Sequence, residues 1–423
     1  MTNHTKESLR PMPGLLPLFT AAIDAVGTCP FPREEVLVNI CIDEKAFERE
    51  PPLAPSNSFQ VMRSQPNTLL KYVDSRFKMT TIHRLAMLYL NDVVLRVPKK
   101  TVDWNSDPGQ DLSESIGTEI AILKNEHLRK HENIIDMVGI CWSVYSDRIV
   151  MPVLVLETAQ GGDLWRYLQS STELDARDRL RLAIHCYQGL LALHNVGVIH
   201  ADLKPENILV FIDDQGRPCA KLTDFGCSLL VSNLHGPTKL ESGTPLWQSP
   251  KVLESLSHQG LRQADIYSLT LVASLLLVGP FMYTVLKEAH ESGDGKESLH
   301  KLKTEDGSLA SFIRMQKDTN DSSGAHVFTD ETSGLISEFF DLMLSNEDEL
   351  QIGAALPVRL LRTMLHHEIT SATKHNVRVF ETLDRLEEDV YLSPGKRPAV
   401  SKSVIKISNS TQVTVYHLVK LRM

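Results

Sequence analysis

The spacing of apolar positions changes along this chain, and each change marks an element. Residues 1–60 are rich in proline and weakly periodic, with "REEVLVNICI" (33–42) a candidate strand. From about residue 70 the pattern tightens. "RLAMLYL" (84–90) and "VVLRVPK" (93–99) are dense in aliphatic residues and predict two strands. Asn91-Asp92 links them, a two-residue connection of the kind hairpins favour. In "SESIGTEIAILKNEHL" (113–128), Ile116, Ile120, Leu123 and Leu128 fall on one helical face, with Ser113 as candidate N-cap. "IVMPVLVLE" (149–157) has the continuous apolar run of a buried strand.

Helical spacing then takes over. Leu180, Ile184, Tyr187 and Leu191 line one side of a predicted helix that stops at Asn195 and Gly197. "NILVFI", the turn "DDQGRP" and "CAKLTDFG" predict a hairpin over 207–226. Residues 268–286 carry no charge and approach the length of a membrane span. Gly279-Pro280 breaks that run after about twelve residues, however, which leaves a segment of core-helix length and weighs against a span. Composition turns polar over 287–333, which reads as a solvated insertion whose only apolar patch is "LASFIRM". Helical pattern returns at "LPVRLLRTMLHHEI" (356–369) and "VFETLDRLEEDV" (379–390). A strand-rich first part and a helical second part predict an α+β chain with two lobes of different class.

Bulk properties narrow the picture modestly. With 423 residues, 42% of them hydrophobic and 23% charged, the chain suits a soluble two-lobed globular protein. A net charge of −9 with no Lys/Arg run argues against nucleic acid as a partner. Six cysteines, at 29, 41, 141, 186, 219 and 227, form no CxxC pair or metal-like spacing. They read as reduced thiols, and the expected location is intracellular, in the cytoplasm. Prolines and acidic residues interrupt the N-terminal apolar patch, which argues against a signal peptide.

The chemistry concentrates in "VIHADLKPENILV" (198–210) and the strand end that follows. Asp202 sits between a helix and a strand, Asn207 lies five residues on, and Asp224 ends the next strand before Phe225-Gly226. Three oxygen-bearing side chains at one end of a hairpin suit Mg²⁺, a hard ion shared with substrate phosphates. A carboxylate free of metal can orient or deprotonate a hydroxyl, and a nearby lysine such as Lys204 can neutralise a transferring phosphoryl group. Taken alone, "DLKPEN" is also compatible with an ordinary polar turn; "DFG" at hairpin distance weighs against that.

These motifs resemble a eukaryotic-type protein kinase domain over about residues 65–390. The catalytic-loop motif H-R-D-L-x-x-x-N is matched by His200-Ala201-Asp202-Leu203 and Asn207, and the metal motif by Asp224-Phe225-Gly226. "GTPLWQSPKVLE" (243–254) resembles the end of an activation segment, and "ADIYSLTLVASLLL" the helix through the core of the large lobe. The resemblance implies a small β-rich lobe at 65–158 and a larger, mainly helical lobe at 159–390. It leaves an N-terminal extension at 1–64 and a tail at 391–423.

It further implies ATP and Mg²⁺ as cofactors and a protein as substrate or signalling partner. Asp202 would position the substrate hydroxyl and accept its proton, and Lys204, typical of serine/threonine-directed enzymes, would contact the γ-phosphate. Asn207 and Asp224 would hold the metal, and Glu119 corresponds to the glutamate of the αC helix. Leu156 stands at the gatekeeper position, Glu157 to Ala159 would offer backbone groups to adenine, and Asp265 would tie the catalytic loop from below.

Four departures bear on what such a domain can do. Arg96 replaces the lysine that pairs with the αC glutamate and the phosphates, and that swap is not conservative because the guanidinium is a larger planar fork. Lys99 and Lys100 are alternative cations, and Arg96 could instead form a structural pair with Glu119. No glycine occurs between Gly27 and Gly109, where a phosphate-covering loop is expected, and "DSRFKMTTIHR" (74–84) occupies that space. Lys251 replaces the glutamate of A-P-E and reverses the charge of a buried ion pair, so that the partner arginine, Arg378 or Arg397, would now meet a like charge. Ala201 replaces the arginine that reads activation-loop phosphorylation, so Ser242 or Thr244 is not expected to be the principal on-switch. Two readings follow: a divergent kinase that transfers phosphate, or a pseudokinase that serves as scaffold or allosteric module.

Overall fold

The computed structural model describes residues 59–64, 93–98, 107–129, 131–146, 149–170, 174–304, 309, 328–344, 352–373, 400–406 and 412–418. They fall into two compact units. The first is drawn from the stretches Met1–Glu173, Leu182–Ala273 and Glu349–Leu356, the second from Leu174–Arg181, Ser274–Asp348 and Pro357–Met423.

The first unit begins with a four-stranded antiparallel sheet. Its strands are β1 (Phe59–Ser64), β2 (Val93–Pro98), β3 (Met137–Ser146) and β4 (Ile149–Glu157), in the order β1-β2-β4-β3. Strand β2 pairs with β1 from Phe59↔Pro98 to Ser64↔Val93 and with β4 from Val93↔Glu157 to Arg96↔Leu154. Both edges of Val93–Arg96 are thus taken. The segment 84–90, expected as the hairpin partner, lies outside the described residues, as does the glycine-free stretch 74–84. The sheet also draws in residues that the sequence boundary at 64/65 assigned to the extension.

Alternation along β2 buries Val93, Leu95 and Val97 against Val153 on one face. Arg96 therefore projects from the other face, where it is also buried. Helix α1 runs from Asp107 to Leu123. It begins six residues before Ser113, which is buried within the helix and is not its cap. Leu112, Ile116, Ile120 and Leu123 form its buried stripe. Glu119, three residues after Ile116 and four before Leu123, belongs to the same stripe and is fully buried.

After the short strand β5 (Gly162–Asp163) and helix α2 (Leu164–Gln169) comes the 20-residue helix α3 (Ala176–Asn195). Gly197, at φ 75°, ends it in the left-handed conformation that glycine adopts without strain. The expected hairpin follows as β7 (Ile208–Ile212) and β8 (Pro218–Leu222), while β6 (Val198–Ile199) pairs with β9 (Leu229–Leu230). Helix α4 (His258–Leu277) is buried nearly all round. Tyr187 of α3 and Thr270 of α4, both fully buried, share a hydrogen bond of 2.8 Å. Helix α4 stops before Gly279 (φ 101°) and Pro280, and α5 (Phe281–Glu291) starts afresh. Among the described residues no helix is long and apolar enough to cross a membrane.

The second unit is mainly helical. The described residues of the polar stretch from 287 are largely helical: α5 continues to Glu291, α6 spans Gly295–Thr304, and α7 (Asp330–Met343) begins within it. Leu286 and Leu299 are buried. Glu368 of α8 (Ala355–Thr373) accepts from the Thr329 N–H and hydroxyl at 2.8 Å each, which fixes the start of α7. "LASFIRM" and 379–390 lie largely or wholly outside the described residues, as do Arg378 and Arg397. A backbone hairpin, β10 (Val400–Lys406) with β11 (Gln412–Leu418), follows.

Candidate active site

The loop from His200 to Asn207 is held from one carboxylate. Asp265 of α4 accepts from the backbone N–H of His200 (2.8 Å, Oδ2) and of Ala201 (2.9 Å, Oδ1). Its Oδ2 also pairs with His194 Nε2 at 2.9 Å. All four groups are buried. This grip sustains an unusual backbone, since Ala201 sits at φ 65°, where an L-residue with a Cβ is strained. The His200 ring in turn hydrogen-bonds the Thr223 carbonyl (3.1 Å) and packs against Phe225, with ring centroids 5.4 Å apart.

Asp202 emerges from this loop into a small network. Lys204 Nζ donates to Asp202 Oδ2 (2.6 Å) and to Thr244 Oγ1 (3.0 Å), and Thr244 Oγ1 donates to Asp202 Oδ1 (2.8 Å). Asn207 Nδ2 donates to the Asp202 carbonyl (2.7 Å) and to Oδ2 (3.2 Å). Burial alone would lower the Lys204 pKa; the Asp202 carboxylate more than reverses this, and the ammonium sits above the ordinary lysine value. Thr244 was not legible as part of the site. It arrives from 42 residues away, on a turn closed by the Trp247 and Gln248 N–H groups to its carbonyl. Trp247 is buried beneath that turn.

The second cluster joins β2, α1 and the end of β8. Arg96 Nη1 donates to Glu119 Oε1 at 2.6 Å and Arg96 Nη2 to Asp224 Oδ1 at 2.7 Å. The pair with Glu119 was among the expected alternatives; the simultaneous pair with Asp224 was not. Burial pushes Glu119 up to about 7, against the opposing pull of Arg96. For Asp224 the balance is reversed: burial would raise it, but the adjoining guanidinium holds it below the usual carboxylate range. Asp224 lies at φ 63°, a second strained position. A Cβ added to Gly226 would stand 2.5 Å from Ser115 Oγ, so α1 closes directly on this turn and the serine side chain would have to shift to admit one. Lys99 and Lys100 lie outside the described residues.

At the proposed hinge, Glu157 turns its side chain to structural work, accepting from the Asp136 N–H (2.7 Å) and Lys221 Nζ (2.6 Å). Its backbone N–H is engaged as well, donating to the Asp136 carbonyl at 3.2 Å. The Ala159 carbonyl closes a turn with the Gly162 N–H (3.3 Å), and among the described residues no backbone acceptor meets its own N–H. The donor set fits a hard cation on one observation. Asn207 spends its Nδ2 hydrogens on Asp202 and turns no donor to Asp224, so among the described residues its Oδ1 and Asp224 Oδ2 are the oxygens that would face a cation. Among the described residues no three His, Cys, Asp or Glu side chains gather to hold a metal by themselves.

Comparison with known proteins agrees with this geometry. The family model described as "Protein kinase domain" matches residues 93–348, more than half of the chain. This chain belongs to the protein kinase family. It is 30% identical to rat serine/threonine-protein kinase DCLK1 over 189 residues, 44% of this chain and 38% of that protein. Human serine/threonine-protein kinase DCLK2 is 32% identical over 164 residues, 39% of this chain and 20% of the relative. Serine/threonine-protein kinase atg1 of Dictyostelium discoideum is 26% identical over 211 residues, 49% of this chain and 29% of the relative. The matched region therefore spans well under two thirds of each relative's length.

Within the kinase domain, the departures from the family pattern take physical form. Ala201 lies in an apolar cluster with Ile199 and Leu261, and Leu229, Val231, Leu234, Leu240 and Leu256 pack against it. Where the family pattern has an arginine, this kinase domain has a hydrophobic anchor for the segment after Asp224. Lys251 is exposed, so the like-charge burial expected at that position does not arise. The thiols of Cys186, Cys219 and Cys227 are free, and Cys227 is half-buried beside the Asp224 turn.

Proposed function

We propose that this kinase domain transfers the γ-phosphoryl group of ATP to serine or threonine hydroxyls of proteins. The observation that carries the reading is the Asp202 network. A carboxylate held at once by Lys204, Thr244 and Asn207 is fixed in place before any substrate arrives. Its two oxygens are not equivalent. Oδ2 accepts an ammonium and an amide, whereas among the described residues Oδ1 accepts only the Thr244 hydroxyl. Oδ1 therefore keeps a lone pair for the incoming hydroxyl and is the oxygen that takes its proton. Lys204, charged and already beside Asp202, neutralises charge on the phosphoryl group as it moves. Asn207 and Asp224 would hold Mg²⁺, which neutralises charge on the ATP phosphates when bound. The hinge would offer the Glu157 carbonyl and the Ala159 N–H to the adenine.

Purified protein assayed for transfer of labelled phosphate to a generic Ser/Thr peptide tests the reading. Asp202→Asn is expected to lose on the order of a hundredfold or more in turnover, the usual scale for a positioned base. A second reading, a pseudokinase acting as scaffold or allosteric module, is favoured by one feature: Arg96 is committed to two carboxylates. Under that reading, wild-type turnover equals the Asp202→Asn background.

A further inference from the structure

The Arg96 contacts have a consequence for how nucleotide binds. A lysine at this position offers one point charge, whereas the guanidinium fork reaches two carboxylates at once. Here Nη1 is spent on Glu119 (2.6 Å) and Nη2 on Asp224 Oδ1 (2.7 Å). The arginine is itself buried and rises from a central strand, and Glu119 is fixed on the buried stripe of α1. The fork is therefore a built part of the site.

Asp224 is the charged member of the oxygen pair that suits a divalent cation. An unscreened carboxylate there would repel the phosphates of a metal-free nucleotide, and a divalent ion would be needed to bridge the two. Arg96 already supplies a positive charge in direct contact with that carboxylate. It also occupies one of the two oxygens through which Asp224 could chelate. Both effects act in one direction: less repulsion without metal, and less to gain with it.

We propose that this chain binds nucleoside triphosphate with little dependence on divalent metal, because the Arg96 guanidinium stands in for part of the metal's charge at Asp224. The inference rests on the nucleotide site of the preceding reading and concerns binding, whether or not transfer follows. Arg96 is here a positioning and screening residue.

The test is a fluorescence titration of the purified full chain with a ribose-labelled ATP analogue, in excess Mg²⁺ and in excess EDTA. The wild type is expected to bind in both, with affinities within about threefold, because Mg²⁺ adds little attraction once Asp224 is paired. Arg96→Lys is expected to bind at least about tenfold more weakly in EDTA than in Mg²⁺, since a compact ammonium lacks the planar fork that meets both carboxylates from one position. Binding by the wild type only when Mg²⁺ is present overturns the proposal while leaving the nucleotide site intact. An equal metal response in a folded Arg96→Lys variant overturns the assignment to Arg96. Absence of binding in both buffers removes the nucleotide site itself, and the proposal with it. The wild-type comparison needs no variant, so it decides the matter even where Arg96→Lys does not fold.

Discussion

Replacing Asp265 by Ala removes the acceptor for two buried backbone N–H groups, those of His200 and Ala201, and the partner of His194. Asp265 is 2% exposed and His200 0%, so water does not readily take over. Each stranded N–H costs about 1–3 kcal/mol, which makes the loss on the order of 2–6 kcal/mol. Against a total stability of about 5–15 kcal/mol this is a large fraction. Asp265→Asn keeps the volume and one acceptor oxygen, and is expected to lose roughly half as much. The Ala201 bond also holds that residue at φ 65°, where a Cβ costs about 1–2 kcal/mol. Ala201→Gly relieves that strain where the bond enforces it, so in the double variant Asp265→Ala/Ala201→Gly the glycine should gain less than it does alone, by about 0.5 kcal/mol or more. Urea unfolding followed by tryptophan fluorescence measures the wild type and the four variants. A loss below about 1 kcal/mol for Asp265→Ala would refute the view that one carboxylate holds the catalytic loop.

Three further expectations test other parts of the molecule. Ala201→Arg forces a charged side chain into the cluster of Ile199, Leu261, Leu229 and Leu240; it should cost about 1–3 kcal/mol and expose the segment after Asp224 to limited proteolysis, while phosphatase treatment leaves wild-type turnover unchanged. Thr244→Ala removes the hydroxyl between Asp202 and Lys204; kcat should fall about tenfold or more with KM little altered, and Thr244→Ser should restore it. Lys303 is 4% exposed, and burial pushes its pKa down to about 7 from 10.5. The folded state then binds fewer protons than the unfolded one between those values, so stability rises with pH across that window and the penalty is complete below it. Lys303→Met should accordingly raise Tm most at pH 6, with the gain shrinking as the pH approaches 10; a pH-independent gain would show that the lysine is not the group responsible.

What could be read from the chain was whatever acts over a few residues. Helical spacing places Glu119 on the same stripe as Ile116 and Leu123, and alternation separates Arg96 from Val93, Leu95 and Val97. Gly279-Pro280 ends a helix by backbone geometry alone. The five-residue step from Asp202 to Asn207 puts an amide within reach of its own loop. Less was legible where local signals compete. Ser113 has a good capping residue's chemistry, yet the helix had already begun at Asp107. Val93–Arg96 looked ready for a hairpin with its neighbour in sequence, yet its described partners come from 59–64 and 149–157.

The sequence by itself determined which chemical groups are available: a carboxylate–lysine–asparagine loop, a second aspartate on a hairpin, an arginine where the family has lysine. Tertiary structure alone decided how they are paired. Thr244 meets Asp202 across 42 residues, and Arg96 meets Asp224 across 128. No periodicity or turn preference reaches that far, because dihedral preferences act over a turn or a strand pair, whereas these contacts depend on how whole elements pack. Whether Arg96 holds one carboxylate or two follows from α1 closing on Gly226, and from the charge that closure leaves to be shared.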